Sequence, residues 1–307
     1  MIDLTATICL TIAVFVGSAG VSWSSGFQKG LTAYQNGDYA TALREWTPLA
    51  KQGNARAQYN LGHIYFKGKS VPQDYKTAVK WYKLAANQGN AGAQFNLGVM
   101  YHNGKGVPQN GKTAVKWYTL AAEQGDADAQ YNLGLMYYEG KGVPQDSKTA
   151  VKWYKILAEQ GGANAQFNLG VMYENGQGVP QDYKTAVKWY TLAAKQGDAD
   201  AQSNLGFMNS KGQGVPQNYK TAAQWFTLAA EQEHSKSQSN LGKMYAMGTG
   251  VIQDNVYAHM WSNIAALSGN TVAVKNRDII AEGMTPADIS TAQKLARECV
   301  RKKYKEC

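Results

Sequence analysis

Histidine is the residue type of this sequence best suited to catalysis and metal binding, and the chain has four: His63, His102, His234 and His259. A zinc site needs three or four His, Cys or carboxylate side chains that converge on one point. His63 and His102 could approach each other if they lie on neighbouring helices, but no cysteine or carboxylate accompanies them at ligand spacing. We therefore expect packed or exposed imidazoles and no metal site.

Other catalytic patterns are equally weak. No serine stands in a nucleophile-elbow or Ser-x-x-Lys pattern with a credible base. Gly-Lys-Gly occurs at residues 104–106, but no strand precedes it and no Gly-Lys-Ser/Thr follows, so a phosphate loop is a poor interpretation. Glu139 and Glu174 lie in polar surroundings a repeat apart, and we expect them to be solvated. The sequence predicts no catalytic residue and no cofactor.

The cysteines are Cys9, Cys299 and Cys307. Cys9 lacks the small residues that precede the cysteine of a lipoprotein signal. Cys299 and Cys307 have no Cys-x-x-Cys spacing and no nearby histidine, which disfavours the alternative of a metal or redox site. In an exported protein, such a pair is expected to form a disulfide that closes a nine-residue segment.

The N-terminal segment differs from the rest. Residues 2–21 are apolar or small apart from Asp3, and small residues continue to Ser25. This is typical of a secretory signal peptide, cleaved between Ala19 and Ser25, although no Lys or Arg precedes the apolar stretch. A retained anchor is the alternative, since about 20 apolar residues can span a bilayer. We predict export to the periplasm or out of the cell.

Composition excludes some classes of protein. Of the 307 residues 44% are hydrophobic, which is enough for a packed core. Lys and Arg outnumber Asp and Glu by 31 to 22, a formal charge of +9. That excess permits anionic partners but is modest for a nucleic-acid-binding protein of this size. We predict no nucleic-acid partner.

A 36-residue repeat positions these residues. Leu-Gly pairs begin at Leu61, Leu97, Leu133, Leu169, Leu205 and Leu241. Tryptophans keep the same step at Trp81, Trp117, Trp153, Trp189, Trp225 and Trp261. A fixed period between about 20 and 50 residues indicates a stacked array.

One repeat, residues 90–125, shows the elements of each unit. Asn90 is a good N-cap, and apolar residues then recur at spacings of three and four. Residues 103–110 (NGKGVPQN) interrupt this pattern and end in a second cap residue, Asn110. A second helical pattern follows and ends at Gly125, which suits a left-handed cap. Each unit is therefore predicted to be helix, loop, helix, turn.

Small residues on the first helix predict close helix packing. Gly98 lies inside a helix, where glycine costs about 1 kcal/mol relative to alanine, so its recurrence needs a steric reason. We expect Gly98 and Ala93 to let the paired helix approach, with Trp117, Tyr101 and Leu120 filling the space beside them. One hairpin cannot bury both its apolar faces, so neighbouring hairpins must pack against them. The fold class predicted is an all-α solenoid.

The array needs ends. Thr285 opens a capping box with Pro286 at the first helical position, and we expect a basic amphipathic helix from there to about Tyr304. The predicted segments are a signal peptide or anchor at 1–25, an N-terminal capping hairpin at 27–53, repeats one to six at 54–89, 90–125, 126–161, 162–197, 198–233 and 234–269, and a C-terminal cap at 270–307.

The repeated pattern A-Q-x-N-L-G-x-M-Y-x-x-G-x-G-V-P-Q-D, followed by A-x-x-W-Y-x-x-A-A-x-Q-G, resembles the Sel-1-like repeat, a relative of the tetratricopeptide repeat. Repeats five and six depart from it at Asn209, Glu233 and Ile252, which predicts a looser junction near 233–237. The resemblance implies a right-handed superhelix that works as a non-enzymatic scaffold or adaptor for proteins or peptides, often in the bacterial envelope. Relatives with cysteine-paired repeats suggest a penicillin-binding or β-lactamase activity as an alternative, but those cysteines are missing here.

Positions that differ between repeats are free to serve a partner. First helices line the concave face of such solenoids, and aromatic side chains with polar neighbours suit peptide capture. The candidate partner-binding residues are Tyr59, His63, Phe66, Phe95, His102, Tyr131, Leu135, Tyr138, Phe167 and Glu174. We expect this groove to be aromatic over repeats one to four and to become polar in repeats five and six. Packing between repeats is the alternative role for the aromatic residues.

Lysine pairs one turn apart recur on the second helices. We call this set the lysine ridge: Lys76, Lys80, Lys112, Lys116, Lys148, Lys152, Lys184 and Lys188. An anionic envelope polymer is the partner that such a ridge would attract. A solvated face that keeps the array soluble is the simpler interpretation.

Overall fold

The structure, a computed structural model, describes residues 25–305 and residue 307. Within those residues the backbone forms sixteen helices and no strand. Helix α1 covers residues 25–35. The others are α2 Tyr39–Lys51, α3 Ala55–Lys67, α4 Tyr75–Asn87, α5 Ala91–Asn103, α6 Gly111–Glu123, α7 Ala127–Glu139, α8 Ser147–Glu159, α9 Ala163–Asn175, α10 Tyr183–Lys195, α11 Ala199–Lys211, α12 Tyr219–Ala230, α13 Ser235–Met247, α14 Asn255–Leu267, α15 Thr271–Glu282 and α16 Pro286–Arg301.

The chain divides into two compact units. Unit 1 ends at Asp146 and contains α1 to α7, and unit 2 begins at Ser147 and contains α8 to α16. In each unit the first and second helices of a repeat pack together, as α5 does with α6 and α9 with α10. The predicted signal segment, residues 1–25, lies outside the described residues except for Ser25. No helix within the described residues combines the length and the apolar character needed to cross a membrane.

The predicted helix ends of repeat two are confirmed. The Asn90 side chain accepts a hydrogen bond from the Ala93 N–H at 2.8 Å, and Asn110 caps α6 in the same way. These side chains satisfy N–H groups that the first turn of a helix leaves without partners. Gly125 takes a φ of +89°, the left-handed conformation expected where the second helix ends.

The tight contact predicted for Gly98 exists, but its partner is a different residue. Gly98 faces the ring of Tyr118, which is 1% exposed. The residues expected to fill this space lie further out, since Trp117 is half-buried and Leu120 is 39% exposed. The expectation was wrong because Trp117 and Tyr118 are adjacent on the helix, and spacing alone does not show which of two neighbouring aromatic residues points inward.

The core forms between repeats as well as within them. Tyr82 and Ala86 of α4 belong to the same buried cluster as Leu97 and Met100 of α5, the first helix of the next repeat. Trp117 of α6 packs at the edge of this cluster. Each first helix therefore covers the second helix before it, as expected for hairpins that cannot bury both faces alone.

A ladder of glutamine pairs, which was not predicted from the sequence, joins successive repeats. Buried Gln94 donates through Nε2 to the Ala86 carbonyl oxygen at 3.1 Å and accepts from Gln124 Nε2 at 2.7 Å. The other pairs of the ladder are Gln58 with Gln88, Gln166 with Gln196, and Gln202 with Gln232. Each pair links the first helix of a repeat to the end of its second helix, and its buried glutamine also bonds to the preceding helix, so the ladder holds neighbouring repeats in register within each unit.

Glu233 occupies a backbone position that favours glycine. Its φ is +65°, at the turn where the other repeats place glycine, as at Gly125 and Gly197. A left-handed conformation costs an L-residue roughly 1–2 kcal/mol. We expect Glu233→Gly to stabilise the protein by about 0.5–1 kcal/mol after the extra chain entropy of glycine is subtracted. Urea unfolding measures the change.

Glu231→Gly is the matched control for that prediction. Glu231 is two residues away with a φ of −64°. Glycine there relieves no strain and is expected to lower the free energy of unfolding by about 0.5–1 kcal/mol. Equal effects from the two substitutions would show that Glu233 is not strained.

The C-terminal segment ends earlier as a helix than the sequence suggested. The Thr285 side chain caps α16 and Pro286 begins it, but the helix stops at Arg301 rather than near Tyr304. Lys303 and Tyr304 take positive φ values, which turn the chain back. In the structure Cys299 and Cys307 form a disulfide, with Cα atoms 5.3 Å apart.

Candidate functional site

The ten candidate partner-binding residues are alike in burial, and we call the surface that they occupy within each unit the first-helix face of that unit. All ten are half-buried. They lie on α3, α5 and α7 in unit 1 and on α9 in unit 2. Within unit 1, α5 contacts α7 directly, so first helices of successive repeats are neighbours. Each side chain therefore keeps part of its surface open to a partner while the rest is held by the fold.

The aromatic rings of this face rest on tyrosines of the second helices. The Phe95 ring packs against Tyr118 at a tilt of 39°, with ring centroids 5.9 Å apart, and Phe167 packs against Tyr190 at a tilt of 42° and 5.8 Å. Tyr59 stands in the same relation to Tyr82. The inner tyrosines are almost fully buried. The rings thus contribute to packing and to the surface together, so packing and partner contact are not exclusive roles for them.

His63 and Phe66 have polar surroundings. Tyr34 Oη and His63 Nδ1 are 2.9 Å apart, within hydrogen-bond distance. Burial of the His63 imidazole lowers its pKa, and Lys67 adds to the effect. The imidazole is therefore neutral at pH 7. Lys105 Nζ lies 5.6 Å from the centre of the Phe66 ring, a cation–π distance.

Glu174 gives the first-helix face a fixed carboxylate. Tyr190 Oη donates a hydrogen bond to Glu174 Oε2 at 2.6 Å. Burial raises the pKa of Tyr190, and the bond to the carboxylate raises it further. In repeat one, Phe66 occupies the position of Glu174. The buried Tyr82 hydroxyl accordingly has no hydrogen-bond partner among the described residues.

The difference between the Tyr190 and Tyr82 hydroxyl groups predicts different effects of the same substitution. Tyr190→Phe removes a hydrogen bond to a charged acceptor and is expected to destabilise unit 2 by about 1–2 kcal/mol. Tyr82→Phe removes a buried hydroxyl that has no partner, so the free energy of unfolding should stay unchanged or rise. Thermal unfolding of both variants provides the comparison. Equal losses would mean that the Glu174 contact contributes nothing.

All eight residues of the lysine ridge are exposed. Four further lysines, Lys83, Lys155, Lys195 and Lys220, lie on the same class of helix, together with Glu123 and Glu159. Twelve lysines and two glutamates give α4, α6, α8, α10 and α12 a net charge of +10, against +9 for the whole chain. The positive charge of the protein is therefore concentrated on its second helices.

An exposed aliphatic side chain follows each lysine pair of the ridge by one turn, which the sequence reasoning missed. These residues are Leu84, Leu120, Ile156 and Leu192, all between 39% and 48% exposed. In unit 1 a cavity of about 620 Å³ opens beside Lys83, Lys116 and Trp117. The second helices thus present apolar side chains next to their lysines.

The histidines do not form a metal site in the part of the chain that the structure describes. His234 caps α13 by accepting from the Ser237 N–H at 3.2 Å, and its Nε2 lies 3.2 Å from Asp200 Oδ1. His259 is 3% exposed, and burial lowers its pKa. Across the same residues, no group of three or more His, Cys, Asp or Glu side chains could hold a metal ion.

The first helices of repeats five and six carry exposed polar residues, as expected, at Lys211 and Lys243. Ser203 and Ser239 are buried, so these polar residues do not form the surface. These helices also expose the apolar side chains Phe207 and Met247, which are 44% and 60% exposed, and Tyr219 of α12 is 42% exposed. Phe207 is not among the candidate residues predicted from the sequence, because burial at each position could not be assigned without the packing of the neighbouring helices.

Comparison with known proteins shows the family. The sequence model of the Sel1 repeat matches residues 55–90, 91–126, 127–162, 163–198, 199–234 and 235–270. A search of curated proteins found no match.

Solved structures agree with this match. The Sel1 repeat protein from Oxalobacter formigenes is 33% identical over 78% of this chain and 96% of that chain, with a TM-score of 0.66. The protein c5321, described as a protective antigen in uropathogenic Escherichia coli strains with an SLR fold, is 26% identical over 99% of this chain and 89% of that chain, with a TM-score of 0.50.

The Sel1 repeat fold is typically a scaffold for protein–protein interaction, and proteins built from it are generally non-enzymatic. The matched segments cover more than half of the sequence, and the helices have the expected arrangement. The chain is an all-α repeat solenoid and belongs to the Sel1 repeat family.

Proposed function

We propose that this protein is a non-enzymatic scaffold that holds a segment of a partner protein against its first-helix face. The observation that carries the proposal is the shared partial burial of the ten candidate residues. Aromatic rings that contacts with buried tyrosines already hold in place lose little conformational entropy when a partner covers them. Such pre-organised aromatic surface is typical of interaction hot spots.

The proposal includes export. Its support is the apolar segment at residues 2–21, together with the disulfide between Cys299 and Cys307, since disulfides persist in oxidising compartments. Fractionation of the native cells, with sequencing of the mature N-terminus, tests this part. A mature chain that begins between residues 20 and 25 in the periplasm or medium is expected. An intact chain in the cytoplasm would refute export.

The partner-binding test combines capture with a folding control. Wild-type protein is immobilised and cross-linked to proteins of the native cell envelope, and captured proteins are identified by mass spectrometry. The double variant Tyr131→Ala and Tyr138→Ala, both on α7, is expected to lose the main captured protein by about tenfold or more, since hot-spot residues contribute at least about 2 kcal/mol. Tyr183→Ala, a half-buried tyrosine on α10, is the matched control.

The melting temperature separates the two roles of these tyrosines. Lost capture with an unchanged melting temperature supports the proposal. Unchanged capture contradicts it, and a loss of capture that is fully explained by a lowered melting temperature assigns Tyr131 and Tyr138 a packing role alone. A β-lactam hydrolysis assay of the wild type checks the enzymatic alternative, and we expect no turnover above that of buffer.

A second candidate function rests on the charge distribution. The concentration of positive charge on the second helices suits binding of an anionic envelope polymer. Retention on immobilised dextran sulfate should then fall steeply as salt increases. Lys116→Glu with Lys188→Glu should elute at lower salt than Lys236→Glu with Lys243→Glu, which changes charge equally on a first helix. Identical elution of the two variants would exclude the ridge as the binding surface.

A further inference from the structure

A cavity of about 300 Å³ in unit 2 is lined by residues of α11, α12 and α13. Phe226 and Met244, which are 3% and 6% exposed, form its inner wall. Phe207, Tyr219 and Met247 line its outer part, and all three are more than 40% exposed. This volume is at the small end of ligand pockets, roughly 300–1,000 Å³, and suits a single apolar side chain.

Two lysines complete the lining, and their arrangement is specific. Phe207 and Lys211 are one turn apart on α11, and Lys243 and Met247 occupy the equivalent positions on α13. The order of apolar and cationic residue is thus reversed between the two helices. Lys211 Nζ lies 5.9 Å from the centre of the Phe207 ring. No acidic side chain is among the residues that line the cavity.

This combination is particular to repeats five and six. The positions of Phe207 and Lys211 carry Val99 and Asn103 in repeat two, Leu135 and Glu139 in repeat three, and Val171 and Asn175 in repeat four. Repeat one keeps the lysine, as Lys67, but has the half-buried His63 in place of the exposed ring. Val99 and Leu135 are half-buried, whereas Phe207 is exposed. Repeats two and three therefore lack both the exposed ring and the lysines.

We propose that this cavity binds an acidic segment of a partner protein through one apolar side chain, with carboxylates before and after that side chain held by Lys211 and Lys243. The inference rests on the proposed scaffold function and adds a partner class and a site to it. Charge complementarity selects the occupant, because a neutral apolar segment would leave both lysines without counter-charges and a basic one would be repelled. The exposed apolar rim supplies the contact area that lysines alone lack.

A short peptide tests the site without knowledge of the natural partner. The probe is fluorescein-labelled Gly-Glu-Glu-Phe-Glu-Glu-Gly, titrated with the full protein and followed by fluorescence anisotropy. Two matched peptides replace the phenylalanine by glycine or the four glutamates by glutamine. We expect the probe to bind at least about fivefold more tightly than either matched peptide. The phenylalanine contact and the glutamate charges should each contribute at least as much binding free energy as one surface ion pair.

Protein variants locate the binding. K211E and K243E should each weaken the probe about tenfold, since reversal of charge replaces attraction by repulsion. K188E makes the same charge change on α10 in the same unit and should change affinity less than twofold. Met247→Ser should weaken the probe without loss of folding, since Met247 is 60% exposed.

Three results would overturn the inference: no binding of the probe at millimolar protein, equal binding of the peptide that lacks phenylalanine, or an equal loss in K188E. The scaffold proposal fails differently. If capture depends on Tyr131 and Tyr138 but the protein does not bind the probe, the proposed scaffold function stands and only this site is rejected.

Discussion

Gly98→Ala is expected to destabilise unit 1 by about 1–3 kcal/mol, although alanine is the better helix former. A Cβ at this position would lie 2.5 Å from Cδ1 and Cε1 of the Tyr118 ring. That ring is 1% exposed and cannot move outward without disturbing its neighbours. Overpacking must therefore separate α5 from α6, and urea unfolding measures the loss.

Gly92→Ala is the control, because it makes the same change on the same helix. Its Cβ would meet the Tyr59 ring at 3.0 Å, and Tyr59 is only half-buried, so this ring can shift toward solvent. We expect a change within about 0.5 kcal/mol, as at ordinary surface positions. Equal destabilisation by both substitutions would show that close approach of α5 and α6 is not what Gly98 provides.

Gln94→Met is expected to cost about 1–3 kcal/mol, since two buried hydrogen bonds, to the Ala86 carbonyl and from Gln124, are lost. Methionine has a similar shape, so little of the loss comes from a cavity. Because Gln94 joins repeat two to repeat one, hydrogen exchange should also quicken at the end of α4. Chemical denaturation with hydrogen-exchange mass spectrometry measures both effects.

Gln124→Met removes the hydrogen bond between Gln124 and Gln94 by changing its exposed member. Gln94 loses only this one hydrogen bond, and Gln130 Oε1 at the equivalent position of repeat three already has no partner among the described residues, so the expected cost is below about 1 kcal/mol. A loss as large as that of Gln94→Met would mean that the ladder is not anchored by its buried member.

The fold was predictable because one period governs sequence and packing together. The recurrence of Leu97-Gly98 and Trp117 every 36 residues fixes helix, loop and stack. Periodicity could not show which of two adjacent side chains points into the core, and Tyr118 rather than Trp117 faces Gly98. The glutamine ladder was missed for a related reason, since a polar residue in a helical pattern gives no sign that it is buried until its partner from the next repeat is placed.

The candidate site was predictable in part. Variable positions on first helices marked Tyr59, Phe95 and Phe167, and the structure leaves each of them half-buried. Their second role as packing groups against buried tyrosines was left open, because both roles use the same residue types. Phe207 and Met247 were not predicted as a site because periodicity does not show which side chains stay exposed once neighbouring helices pack together.

A photoreactive side chain placed at one position on each class of helix tests the central claim, that first helices form the recognition surface. His102 on α5 and Lys116 on α6 are suitable, since both lie in unit 1 and neither is buried. After irradiation in the native envelope, we predict a discrete protein adduct from position 102 and little from position 116. Adducts formed mainly from position 116 would contradict the claim and place the partner on the second helices.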